Sequence, residues 1–303
     1  MTELTASHFA DICRQGPVAI QIRTIEETRR AAMRRFWLTL GFGLLLAAGL
    51  ASAAASSAGI EIGAMVGIGL LVVTVVSAAI PLGNAAEGIK HPVLEAVAAQ
   101  AGMSFIPAGF DPPVFGAAYR PLFGSWISSS AFTDLFHGAD SEGRNFAFYE
   151  ATLTRGHGKH RHTAFSGQVY AFQRRRRGHS EAVAVPDRGL FNFFKPSGGF
   201  ERVRTEQDPD FDRKFEVYAT HPAEAAMLFG SSAVRRTLLG LRDGGRVFAY
   251  VGPEDVLVAV TAPNRFEPGC MLRSRSGEQR VRLMFDDVCA SLKVLETLRV
   301  AIG

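Results

Sequence analysis

Two apolar stretches, residues 36–58 and 60–82, follow one another with Glu61 as the single formal charge between Arg35 and Glu87. An α-helix rises about 1.5 Å per residue and bilayer hydrocarbon is about 30 Å thick, so roughly 20 apolar residues cross it and each stretch is long enough alone. No polar face recurs in either stretch, against an amphipathic core helix, and the first begins too late and runs too long for a cleaved leader. The expectation is a transmembrane helical hairpin over residues 36–82.

The basic residues set an expected orientation. Arg23, Arg29, Arg30, Arg34 and Arg35 precede the first span and Lys90 follows the second, while the turn at 56–61 has none. Positive charge is retained on the cytoplasmic side, which places both termini in the cytoplasm of a cell whose inner (plasma) membrane the hairpin crosses. Apart from Glu61 the spans hold no carboxylate, Lys or His to relay ions, which argues against a pump or transporter. Small residues recur at fourfold spacing: Gly43, Ala47, Ala51 and Ala55 in the first span, Gly59, Gly63 and Gly67 in the second. Such ridges let backbones approach closely, and the expected use is packing of the two spans on each other, with an oligomerisation face as the other reading.

The chain divides by composition into three parts. Residues 1–35 form a cytoplasmic helical lead-in, with 19–35 expected to run into the first span as one rod; 36–82 are the hairpin; 89–303 are a cytoplasmic domain of ordinary size. The net charge of +4 suits a protein held against an anionic leaflet. Cys13, Cys270 and Cys289 are odd in number and scattered, so neither a disulfide framework nor a metal site is expected.

Periodicity in the third part alternates between helix and strand. Residues 92–101 read as a short helix ended by Gly102, 103–106 as extended, and 107–130, rich in Pro, Gly and Ser, as irregular with short helical turns. Strands are expected from 145 to 153 and from 164 to 172, joined by a hairpin loop over 154–162, then at 182–185, 215–218, 246–251 and 256–261. Helices are expected at 222–228 and 232–242, and at 278–302, where Val281, Phe285, Val288, Leu292, Leu295, Leu298 and Ile302 recur every three or four residues. This is an α+β class: a two-span hairpin plus antiparallel strands with inserted helices and a C-terminal one, the last packing on its own sheet.

Four segments then carry a resemblance: Asp134-Leu-Phe-His-Gly138, Phe148-Tyr-Glu-Ala-Thr-Leu153, the run from Asp208 to Tyr218, and Phe266-Glu-Pro-Gly269. In this order behind a two-span hairpin, the chain resembles the bacterial membrane family catalogued as domain of unknown function 3137. The resemblance covers nearly the whole chain and implies an inner-membrane protein with a cytoplasmic domain. It brings no activity, cofactor or catalytic residue.

Chemistry must therefore come from the residues themselves. His157, His160 and His162 lie in the hairpin loop, but Lys159 and Arg161 between them disfavour a dication, so no metal is expected. Asp208, Asp210 and Asp212 lack the Gly and distal Glu of a calcium loop and read as a turn entering a strand. Glu150 and Glu216, each flanked by aromatics, are expected on solvated strand faces rather than as a buried acid–base pair. No phosphate loop, zinc helix or nucleophile elbow occurs, so no catalytic residue and no cofactor are assigned.

Seven basic residues are the candidate lipid-headgroup contacts: Arg155, Lys159 and Arg161 in the loop, and Arg174, Arg175, Arg176 and Arg177 after the second strand. Each such charge near an anionic leaflet gains roughly 1 kcal/mol. The run lacks interleaved stacking aromatics, so nucleic acid is not an expected partner. Two functions fit: a membrane-anchored interaction or scaffold protein with a membrane or cytoplasmic protein partner, or a membrane-bound enzyme on a lipid or envelope precursor using Glu150, Glu216 or the His cluster. Convergence of those groups in one cleft would mark the enzyme; scatter would mark the scaffold.

Overall fold

The computed structural model describes residues 4–14, 16–124, 127–187, 199–204 and 208–303. The chain separates into two compact units: residues 5–97 with 266–286, and residues 98–265 with 287–303.

The first unit is helical. Helix α1 (Ala6–Arg14) precedes α2 (Gly16–Ala58), which is one rod of 43 residues, and α3 (Ile60–Gln100) follows with 41. At about 1.5 Å per residue each long helix measures roughly 60 Å, twice the thickness of bilayer hydrocarbon. The return between them is tighter than a turn over 56–61: Gly59 alone breaks the helices, at φ 97°, a conformation glycine adopts without steric cost. The separate helix expected at 92–101 is instead the end of α3, which passes through Pro81 and Pro92 without interruption.

The antiparallel hairpin is registered by its small residues. A Cβ added to Gly63 would lie 2.6 Å from the Ala55 Cβ and 2.7 Å from the Ala51 carbonyl oxygen, and one on Gly67 would lie 3.2 Å from the Ala51 Cβ. Gly43 meets Thr74. Ala47 is buried and Gly59 forms the return itself. The outer surface of the same hairpin is apolar: of the 21 large hydrophobic side chains left exposed among the described residues, 17 fall between Trp37 and Ile80. Both helices are long and apolar enough to cross a membrane. An apolar sheath of this kind would be inside the fold if these were core helices of a soluble protein.

Beyond the apolar part, the 16–35 end of α2 and the 84–97 end of α3 lie at the same end of the hairpin. There Ile12, Val18, Ile25, Ile89, Val93 and Leu94 are buried, as are Val281 and Phe285 at the start of the last helix, α8 (Gly277–Ile302), and Phe9 of α1 meets the Phe285 ring edge to face. Gly277 is needed where it stands, because a Cβ would lie 3.0 Å from the Ile22 Cα.

Among the described residues, the second unit is built on a nine-stranded antiparallel sheet. Its strands are β1 (Ser104–Ala108), β2 (Ile127–Ala139), β3 (Asn145–Arg155), β4 (His162–Gln173), β5 (Ala182–Pro186), β6 (Glu201–Val203), β7 (Phe215–Ala219), β8 (Val247–Val251) and β9 (Asp255–Thr261). Their order is β1-β2-β3-β4-β9-β8-β5-β7-β6. The segment expected to be irregular, 107–130, contains helix α4 (Phe115–Phe123) and the start of β2; residues 125 and 126 lie outside the described residues. Among the described residues the unit also has the short helices α5 (Pro209–Lys214), α6 (Pro222–Gly230) and α7 (Ser232–Arg242).

Both faces of the sheet are covered. Odd-numbered residues of β3 and β4, such as Tyr149, Leu153, Phe165 and Val169, join Phe248 and Tyr250 of β8 against Phe115, Leu122 and Phe123 of α4. Even-numbered Gln168 meets Ser291 of α8, and Arg299 of α8 lies over the Phe146 ring at 5.8 Å. Under α5 and α6, Phe211 stacks on Phe215 and Phe229.

Candidate functional site

The β3–β4 hairpin is long and its tip carries the charge. Gly156 at φ 82° makes the turn, where a Cβ would strike the His160 carbonyl, and residues 158–160 form one 3₁₀ turn. His157, His160, His162, Lys159 and Arg161 are all exposed, and His162 turns its Nδ1 toward the His160 carbonyl at 3.3 Å. No group of three or more metal-ligating side chains occurs among the described residues.

Arg161 donates to the hydroxyls of Thr154 (3.3 Å) and Ser129 (2.8 Å), and Arg155 donates to the Phe123 carbonyl at 2.6 Å. A further cation joins them. Arg246 follows the Gly244-Gly245 turn and enters β8 at the same end of the sheet, donating to the Ala164 carbonyl at 3.3 Å with its guanidinium 6.0 Å from the Phe248 ring centroid. Among the described residues no carboxylate pairs with Lys159, Arg161 or Arg246. Sequence reasoning missed Arg246 because strand pairing, not chain proximity, brings it to the tip.

Between these side chains lies a cleft of about 230 Å³. Its floor is Leu122, Phe123, Val185 and Phe248, all buried, and its rim is Arg155, His162 and Arg246.

The Arg run lies at the other end of the sheet and is engaged differently. Arg174 bonds the Glu254 carbonyl through its amide (2.7 Å) and the Gly252 carbonyl through its guanidinium (3.0 Å), and the Gly178 amide bonds the Pro253 carbonyl. Arg177 pairs with Glu254, and Arg175 lies 3.8 Å from Glu142. The run thus fastens the chain after β4 to the β8–β9 turn. Arg175, Arg176 and Arg177 remain exposed.

Glu150 and Glu216 correct the expectation of solvated faces. They are 5 % and 6 % exposed. Glu150 accepts the Arg265 amide at 2.5 Å. Beside it on the α8 face, the Tyr170 hydroxyl donates to Gln168 at 2.6 Å, and burial pushes that phenol up to about 12. Glu216 pairs with Arg202 at 2.9 Å and accepts from the Tyr218 hydroxyl at 2.9 Å. The two carboxylates stand on opposite faces and five strand spacings apart, about 24 Å. They cannot act on one substrate atom.

The aspartates are a helix start rather than a turn entering a strand. Asp208 accepts from the amides of Asp210 (3.1 Å) and Phe211 (3.2 Å), with Pro209 in the first turn, and α5 then leads into β7.

The Phe266-Glu-Pro-Gly269 segment belongs to the helical unit, where three cations grip it and the residues just after it. Lys90, 4 % exposed, pairs with Glu267 at 2.8 Å. Arg280, 0 % exposed, donates to the carbonyls of Pro268 (2.8 Å) and Arg273 (2.7 Å). Arg29 reaches the Met271 carbonyl at 3.3 Å while bound to Glu26, whose carboxyl the hydrogen bond from Arg29 holds down to about 2 despite its burial. A buried cation is tolerated only where most of its donors are met, and here backbone carbonyls and carboxylates take the terminal guanidinium and ammonium donors, leaving the Arg280 Nε without a partner among the described residues.

The molecule is therefore an α+β domain carried with two helices able to cross a membrane. Residues 163–300 match the family described as Protein of unknown function (DUF3137). Two of the four resembling segments fall inside that match and two precede it. No curated protein matches the chain. Among solved structures, the chain is similar to the crystal structure of the mycobacterial trehalose monomycolate transport factor A, TtfA, at 13% identity and a TM-score of 0.36, over 69% of this chain and 96% of that one.

Proposed function

We propose that the protein is a membrane-anchored interaction module of the bacterial inner membrane. Residues 36–82 cross the bilayer twice, both termini are cytoplasmic, and residues 89–303 act beside the inner leaflet. The observation that carries this reading is the continuous apolar sheath between Trp37 and Ile80, with positive charge at the one end where α2 and α3 both continue. Arg155, Lys159 and Arg161, with Arg246, orient the domain on anionic headgroups, and Arg174 to Arg177 serve chiefly to hold their own turn.

A membrane or cytoplasmic protein is the remaining partner. Sheet edges are usually guarded, and here β1 carries Pro107 while β6 has only three residues. β1 pairs with residues 133–137 of β2, which leaves 127–132 as the edge open to a partner strand among the described residues. The apolar stripe of α8 is buried from Val281 to Ile302 and is not offered. The scatter of Glu150, Glu216 and the three histidines favours this module over an enzyme.

Reporter fusions test the anchor. A fusion at Gly303 is expected to be active only as a cytoplasmic reporter, and the chain is expected to stay with membranes in a carbonate wash; an external Gly303 or release by carbonate overturns the reading.

A further inference from the structure

We propose that the cleft at the β3–β4 tip binds the headgroup of a single anionic phospholipid, the phosphate on Arg246 and His162 and the adjoining methylenes on Phe123 and Phe248. This rests on the membrane-anchored reading and adds to it a stoichiometric, chemically selective site in place of diffuse attraction.

The cleft has two chemistries in one small space. About 230 Å³ falls below the roughly 300–1,000 Å³ of a site for a whole drug-sized molecule, so it takes a headgroup and leaves the acyl chains outside. Its floor is aromatic and aliphatic, while its rim carries two guanidinium groups and an imidazole, with no carboxylate among the described lining residues. Arg246 spends one donor on the Ala164 carbonyl and lies against Phe248, so its planar fork is oriented while other N–H groups stay available. Arg155 is fixed by its bond to Phe123 and adds charge without having to reorganise. Thr163 contributes a hydroxyl to the same wall.

Two larger cavities do not share this complementarity. The one bordered by Asp111, Glu181, Glu254 and Asp255 is acidic, and the one at Asp140, Arg144 and Arg299 is occupied by its own ion pairs. The apolar floor favours a lipid over a phosphopeptide, and tethering beside a bilayer keeps lipid at high effective concentration.

The test uses the full chain in phosphatidylcholine nanodiscs, titrated with dihexanoyl phosphatidylglycerol below its micelle-forming concentration. Saturable one-to-one binding is expected, weakened at least about tenfold in Arg246→Gln and less in Arg246→Lys, with inorganic phosphate and dihexanoyl phosphatidylcholine binding far more weakly. A photoactivatable phosphatidylglycerol is expected to label residues 155–164 and 246–248 of the unmodified chain, a readout that survives misfolding of the variant. Undiminished binding in a folded Arg246→Gln, labelling elsewhere, or equally tight binding of phosphate or of a phosphoserine peptide overturns the proposal. Any of these can occur with Gly303 still cytoplasmic and the chain still resistant to carbonate, so failure of the cleft is distinct from failure of the anchor.

Discussion

Several charged residues in this protein are structural, and Asp140 shows how strongly. It sits at the β2–β3 turn and accepts from the Glu142 amide (2.8 Å), the Arg144 amide (2.9 Å) and guanidinium (2.7 Å), and Arg299 of α8. Burial alone would raise its pKa, but the bonds from Arg144 and Glu142 and the charge of Arg299 outweigh it and hold the carboxyl far below its usual value. Because the folded pKa is depressed, the contribution to stability is complete above the unfolded value near 4 and drains as pH falls through the folded one. Asp140→Asn is therefore expected to cost about 1.5–3 kcal/mol at pH 7. Its stability should also change less than that of the parent between pH 5 and 2, which urea denaturation of the detergent-solubilised chain at each pH would measure. A variant as acid-sensitive as the parent would show that the pairing contributes nothing. None of this was visible in the chain, where Asp140 and Arg299 are 159 residues apart. The same holds for Arg280: as a letter it is one more arginine of a polar helix start, and only the carbonyls of Pro268 and Arg273 around it explain why a cation is buried there.

At the scale of elements, the legible parts were those whose pattern is local. The α2 rod, the β3–β4 hairpin, β8 and β9 about their Gly252 turn, and α8 all follow from period and breaker residues within a few positions. β2 was not legible, because Ser128, Ser129 and Ser130 are poor strand formers and a bulge between Thr133 and Phe136, with Asp134 at φ 56°, breaks the alternation. The burial of Glu150 and Glu216 was hidden for a related reason: β3 and β7 are buried along nearly their whole length, so no alternation marks an inner face. Pro92 reads as a helix start, a position where proline is favoured, whereas α3 continues through it. The small-residue ridge gives the prediction at this scale. Gly63→Leu would push a side chain into Ala55 and the Ala51 carbonyl, while Gly69→Leu meets nothing within 4 Å. Disulfide crosslinking between cysteines placed at Ala51 and Gly67 is expected to fall several-fold in the first and persist in the second. Equal crosslinking in both would mean that the spans do not pack through this face.

For the whole molecule, the question is which end of the sheet meets lipid, and the basic residues divide in a way that decides what to measure. At the tip, Lys159 and Arg161 are exposed, and the bonds of Arg161 go to neutral hydroxyls, so their charge is unspent. In the run, Arg174 holds the Gly252 turn, and Arg175 and Arg177 face Glu142 and Glu254, which leaves a smaller net field although the run has more arginines. Headgroup attraction is worth roughly 1 kcal/mol per basic residue, so removing two tip charges should weaken apposition to an anionic bilayer by about 2 kcal/mol, near thirtyfold, and the effect should fade as salt shortens the Debye length. Neutralising the run removes turn contacts instead, so its main consequence should be a lower melting temperature. The comparison is between Lys159→Gln with Arg161→Gln and the fourfold Arg174 to Arg177 change to Gln, each in full-length chains in nanodiscs of one-third phosphatidylglycerol. Quenching of a fluorophore near the tip by a lipid-borne quencher reports apposition, and calorimetry reports stability. The tip variant should lose quenching and keep its melting temperature, and the run variant should do the reverse. If the run variant alone loses quenching, the headgroup contacts belong to Arg175, Arg176 and Arg177, and the tip, with its cleft, has another use.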